Sequence, residues 1–168
     1  EYYQVKFKDF YPEYSFTIAN YGLDETNSAY ASYAQSYRKN IIDMLTNEKL
    51  ILRKAKELGL DQLTEEEMAE VEKAYTKNLS DWYASFEKKA KTALGISTDD
   101  TSGTEDSAND EKILEKEKEL FNEYIAGFGL TEDTFLMWQT NTAIQKKVND
   151  YLLKDITVSD SEVDDYIT

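Results

Sequence analysis

The chain has 168 residues, of which 40% are hydrophobic and 32% charged, enough for one domain with a buried core. A formal net charge of −15 makes the average surface repel a phosphate backbone, which argues against nucleic-acid binding unless a local basic patch exists. With no Cys and no His, disulfides, thiolate zinc sites and imidazole bases are excluded. With one Pro and six Gly in a chain rich in Glu, Lys, Leu and Ala, the composition predicts an all-α fold of long helices in an irregular bundle.

The first predicted helix is "FKDFYPEYSFTIANYG", residues 7–22. Pro12 is expected near its first turn, where a missing N–H is tolerated. Phe16, Ala19 and one of Tyr11 or Tyr14 would face a partner. From Asp24 a longer pattern opens, with Tyr30, Tyr33, Tyr37, Ile41, Met44 or Leu45, Ile51 or Leu52, Ala55 and Leu58 at steps of three and four. A helix of about 33 residues would be roughly 50 Å long. That length requires it to project or to be clasped by other helices, and it admits a homodimer that exchanges helices. The six cations between Arg38 and Lys56 sit among Asp43, Glu48 and Glu57, and read as a solvated face with ordinary ion pairs.

Thr64 to Glu67, "TEEE", is a capping box. Met68, Val71, Tyr75, Leu79, Trp82, Phe86, Ala90 and Leu94 follow as one apolar stripe that Gly95 ends. The polar, acidic stretch "STDDTSGTEDSANDE" reads as a flexible loop over 97–110. As a calcium loop it fails: with Gly103 at the obligatory turn, Thr98 and Asn109 occupy the two ends, where acids are wanted. The next helix is expected from about Asp110 to Phe128, with Ile113, Leu114, Leu120 or Phe121, Tyr124 and Ile125 inward. Thr131 caps another that carries Phe135, Trp138, Ile144, Val148, Tyr151 and Leu152. Ser159, with Glu162 three residues later, looks like the start of a further helix over 159–168, leading toward a downstream domain.

Four phrases recur: "NYGLDETN", "ELGLDQLTEEE", "ALGIST" and "GFGLTEDTF". In each, Gly can adopt the left-handed conformation that ends a helix, and the Leu or Ile after it can fold back on the last turn. An Asp, Thr or Ser then starts the next helix. The sequences between these corners differ, so they are punctuation and not a solenoid repeat.

Little catalytic chemistry can be assembled. No glycine-rich phosphate loop occurs, and no Cys or His can serve as nucleophile or base. Acid pairs such as Glu65/Glu66 and Asp164/Asp165 fit a helix N-terminus better than a glycosidase pair. No cofactor or metal is implied, and this segment carries no catalytic residue. The aromatic side chains remain. Most belong in a core, but Tyr30, Tyr33, Tyr37, Trp82, Phe86, Phe135 and Trp138 are candidates to line a groove for apolar peptide side chains.

The order of the corners resembles the SurA/PrsA-like N-terminal chaperone domain of extracytoplasmic peptidyl-prolyl isomerases. Ala55 to Leu60 fit its A-x-x-x-G-hydrophobic helix end, and Thr64 to Glu67 its acidic helix start. Gly129 to Phe135 fit a G-L-[ST]-x-x-x-F phrase, and Val158 to Tyr166 a V-[TS]-[DE]-x-E-V-x-x-Y run. The similarity spans about residues 40–168; the family's usual opening strand motif does not precede Phe7. The resemblance implies a helical chaperone module that holds unfolded or newly exported polypeptides. It also implies a cell-surface setting in a Gram-positive-type bacterium, secreted or held to the membrane through a lipid anchor, and a parvulin-type isomerase domain downstream. The rival expectation is an acidic surface adaptor with one defined protein partner.

Overall fold

A computed structural model describes residues 5–97 and 107–154, and among them the chain is all-helical. Helices α1 (Phe7–Asn20), α2 (Ala31–Leu58), α3 (Glu65–Ala84), α4 (Glu87–Ala93), α5 (Ser107–Ala126) and α6 (Glu132–Leu153) form the bundle, with a short 3-10 turn at Ser28–Tyr30 before α2. Helix α6 lies at the centre and packs on both α2 and α3. Helix α1 packs on α2, and α5 packs on α3 and α4.

The four glycine corners are built alike. Gly22, Gly59, Gly95 and Gly129 all have φ between 62° and 74°. The amide after each glycine donates back across the turn: Leu23 to Ile18, Leu60 to Ala55, Ile96 to Lys91 and Leu130 to Ile125, at 2.8–3.1 Å. This is the six-to-one bond of a Schellman motif, and it satisfies a carbonyl that the helix end leaves free. Leu130, at the last corner, is buried in the core. The capping box also forms: Glu67 N donates to Thr64 Oγ1 at 3.2 Å and Thr64 N to Glu67 Oε2 at 2.8 Å. At α6 the Thr131 N–H donates to Thr134 Oγ1 at 3.2 Å.

Several boundaries differ from the sequence reading. Pro12 lies inside α1, not in its first turn. Ring stacking of Phe7 on Tyr11 and of Phe10 on Tyr14, both at 5.1 Å, spans the turn that proline leaves one bond short. Tyr14, Phe16 and Ile18 are buried, whereas Ala19 and Tyr11 face outward. Asp24 does not start α2. Its carboxylate accepts from the Thr26 N–H at 2.9 Å and hydroxyl at 2.6 Å, which sustains a turn. Asn27 then accepts from Ala29 N at 3.0 Å and caps the 3-10 turn. Helix α2 therefore has 28 residues, roughly 42 Å. It is clasped within one chain, by α1 over Ala34, Ile41 and Leu45 and by α6 over Ala55.

The long stripe after Thr64 is two helices. The Phe86 N–H reaches Tyr83 O at 2.8 Å, a tightened three-residue step, and Ser85 Oγ donates to Trp82 O at 2.6 Å. A hydroxyl competing for a helix carbonyl and a 3-10 step are ordinary causes of a kink. The kink delivers Phe86 into the core and leaves Leu94 exposed. Helix α5 begins at Ser107, so the predicted loop over 97–110 is too long at its second end. Residues 98–106 of that loop, on which most of the calcium-loop test falls, and the helix start over 159–168 lie outside the described residues. Leu114, Tyr151 and Leu152, expected inward, are exposed.

Apolar burial is divided among three clusters. The largest gathers Phe16, Tyr83, Phe86, Phe121, Ile125 and Leu130 from α1, α3, α5 and the corners. The second joins α1 to the first half of α2, and the third joins Ala55 to Ile144 and Val148 of α6. The basic stretch of α2 is spent on ion pairs, including Arg38 with Glu25, Lys39 with Asp43 and Lys49 with Asp9.

Candidate functional site

The structure divides the seven candidate aromatic residues into two sets. Trp82, Phe86, Phe135 and Trp138 come together around the large cluster. Trp82 lies 5.7 Å from Phe16 and 5.9 Å from Phe121, centroid to centroid, and Phe135 lies 5.6 Å from Phe16. Phe86 is buried, 6.1 Å from Phe121. These rings pack edge-on or tilted, the arrangements their quadrupoles favour. Trp82, Phe86 and Phe135 thus face other rings of the core, and Trp82 also borders a small pocket of about 190 Å³ with Asn78 and Asp81. Trp138 meets Phe135 edge-on at 5.1 Å and lines a larger cleft.

Tyr30, Tyr33 and Tyr37 do not join that set. Tyr30 sits in the 3-10 turn before α2, not on its face. Tyr33 is 60% exposed, because the inward face of α2 runs through Ala34 and Ile41. Tyr37 packs against Tyr21 at 5.0 Å, on the edge of the α1–α2 cluster.

The cleft beside Trp138 has a volume of about 420 Å³ and lies between α1, α2 and α6, with Gly129 and Leu130 of the last corner also in its lining. Each helix contributes one face. Asp9, Pro12 and Glu13 come from α1, Leu45, Glu48 and Leu52 from α2, and Thr134, Met137, Trp138 and Asn141 from α6. Steps of three and four place such residues side by side on a helix. Leu45 and Leu130 are buried beneath the surface, whereas Met137 is 51% exposed.

The polar groups of the cleft are unequally satisfied. Lys49 Nζ bonds Asp9 Oδ2 at 2.6 Å and holds that carboxyl below its ordinary pKa. Asn141 Nδ2 donates to Glu48 Oε1. Among the described residues Glu13 has neither: burial, together with the charge of Glu48, pushes its carboxyl up to about 7. Glu13 and Asn141 were not singled out from the sequence, and Glu48 was read only as a counter-ion on a solvated face, whereas it is half-buried and bonds Asn141. A signal was present for two of them. Glu48 interrupts the Ile41–Leu45–Leu52–Ala55 stripe, and Asn141 interrupts the Trp138–Ile144–Val148 stripe. Two polar residues at core spacing on packed helices find each other.

A second groove, of about 470 Å³, runs between α3 and α6 past Val71, Ala74 and Ala143. A 2.7 Å bridge between Lys147 and Glu67 closes one side. Its lining holds no aromatic ring. Elsewhere Glu132 fixes the start of α6: its carboxylate accepts from the Tyr83 hydroxyl at 2.7 Å and from Asn122 Nδ2 at 2.8 Å. Burial, then that bond, raises the Tyr83 hydroxyl pKa. Tyr83 is thereby held as a neutral donor in a structural joint.

Among the described residues, no group of three or more acidic side chains is placed to hold a metal ion, and no helix is long and apolar enough to cross a membrane. What the α1/α2/α6 cleft offers is a contact surface, with an indole and a thioether for apolar groups and two carboxyls for a donor or a cation. Comparison with models of protein families, with curated proteins and with solved structures finds no match for this chain.

Proposed function

We propose that this chain is a polypeptide-holding module of an exported foldase, and that the cleft between α1, α2 and α6 is where client side chains are transiently buried. The observation that carries this reading is the cleft itself, a 420 Å³ concavity lined by Trp138, Met137, Leu52 and Leu130. Its size falls within the range of pockets that enclose small ligands or a few side chains. Met137 adds an unbranched, adaptable contact suited to varied partners. The net charge of −15 keeps a loaded complex soluble and disfavours acidic clients. The helix-corner resemblance supports the setting: the extracytoplasmic face of a Gram-positive-type membrane, with an isomerase domain elsewhere in the same protein.

The test is aggregation of a chemically denatured client, followed by light scattering with and without a several-fold excess of the chain. Suppression is expected, and Trp138→Ala should weaken it while the helical circular dichroism spectrum stays unchanged. No suppression by the native sequence would overturn the reading.

A further inference from the structure

The lining of the α1/α2/α6 cleft is chemically lopsided. Its basic side chains are Lys8 and Lys49, and both act on Asp9, Lys49 through a 2.6 Å bridge and Lys8 through its charge. Glu48 has an amide partner in Asn141 and no ion pair among the described residues. Glu13 makes no hydrogen bond or ion pair among the described residues, and the charge of Glu48, of the same sign, acts on it. Two mutually repelling carboxyls thus stand in one concavity, next to an indole and a half-exposed thioether. Beside an apolar wall, two acids that lack an ion pair disfavour each other's charged form, and a cation placed between them would relieve this.

We infer that the cleft takes a polypeptide segment in which a Lys or Arg neighbours a bulky apolar residue, with the cation between Glu13 and Glu48 and the apolar side chain against Trp138 and Met137. This deepens the proposed function and rests on it, since it assigns the chemistry of the client segment. Charge complementarity selects this occupant. An acidic segment would bring a further like charge to Glu13 and Glu48, and a purely apolar one would strip water from two carboxyls without pairing them.

The experiment is fluorescence anisotropy of labelled short peptides with the full chain. The peptides are identical except for a central Lys, Gln or Glu flanked by leucines. The Lys peptide should bind about tenfold more tightly than the Gln peptide, the gain of a charge-assisted hydrogen bond, and the Glu peptide should bind most weakly. In an E13Q/E48Q double variant the Lys and Gln peptides should agree within about twofold. E48Q keeps a side-chain oxygen for Asn141. An E65Q/E66Q variant, which loses the same charge at the exposed start of α3, should preserve the gap. Equal binding of Lys and Gln peptides to the native chain would overturn the inference and leave the proposed function standing. A gap that shrinks equally in both double variants would also overturn it, because overall charge would then be doing the selecting. Failure of every peptide to bind would remove the proposed function as well.

Discussion

Helix α6 has two flanks, and they differ in how they use aromatic rings. On one, Phe135 enters a set of rings with Phe16, Phe121 and Trp82, packed around side chains with no exposed surface. On the other, Met137, Trp138 and Asn141 border a cleft with Glu13 and Glu48 across it. Around Phe135 the first flank is closed by rings and farther along α6 it opens into the α3/α6 groove, whose lining carries no ring. The second is open beside Trp138 and holds an acid with no ion pair among the described residues. Aromatic density therefore marks the hub that holds four helices together. The candidate contact surface lies where that density thins and polar groups replace it.

The largest effect should come from the hub. Phe121→Ala removes a fully buried ring at the meeting of α1, α3, α5 and α6. It should cost about 3–5 kcal/mol in urea unfolding, with client binding per folded molecule unchanged. A loss below the range of an ordinary surface change would mean that the hub does not hold the bundle together. Next come the two tryptophans, which should separate the flanks. Trp82 touches three rings and Trp138 one. Trp82→Ala should cost about 2–4 kcal/mol and Trp138→Ala roughly half as much, yet only the second should impair binding. Reversed binding effects would erase the distinction between closed and open flanks.

A smaller effect isolates the unpaired acid. The Glu13 carboxyl lies near 7 in the fold against 4.5 ordinarily, so between those values the folded chain retains a proton that the unfolded chain releases. The stability from that proton is fully present below pH 4.5 and is lost as pH rises through 7. Full conversion of the shift gives roughly 3 kcal/mol, and screening at the solvent-facing part of the side chain lowers this to about 1–2 kcal/mol. E13Q should therefore match the native chain below pH 4.5 and exceed it in stability above pH 7. Parallel pH–stability profiles for the two proteins would refute the raised carboxyl. The smallest change expected is at a corner. A Cβ at Gly59 meets nothing within 4 Å, so Gly59→Ala bears only the left-handed backbone penalty, about 1 kcal/mol by thermal melting.

The features legible in the sequence were those fixed by a few adjacent residues. A glycine at positive φ followed by a back-bonding amide is a local device, and all four corners could be placed from the phrase alone. The Thr64–Glu67 box is equally local. Legibility failed where one local signal serves two structures. Asp24 offers the same carboxylate to a turn as to a helix cap, and Asn27 is the residue that does the capping next to α2. The break at Ser85 was invisible because the apolar stripe runs straight through it. The site was least legible. Nothing near Glu13 in the chain announces Glu48, and only the packing of α1 on α2 makes them neighbours. Likewise, how many rings a tryptophan meets and which cleft it borders depend on helices distant in sequence.

The central claim is that clients are held at the open flank of α6, and the absence of cysteine permits a direct test with a single labelled site. Met137→Cys places a photo-crosslinker in the cleft, and Leu114→Cys places one on α5, at a comparably exposed side chain away from it. With a denatured client present, illumination should give crosslinked adducts from the Met137 site and little from the Leu114 site. Equal yields from the two positions, or a higher yield from Leu114, would contradict the account.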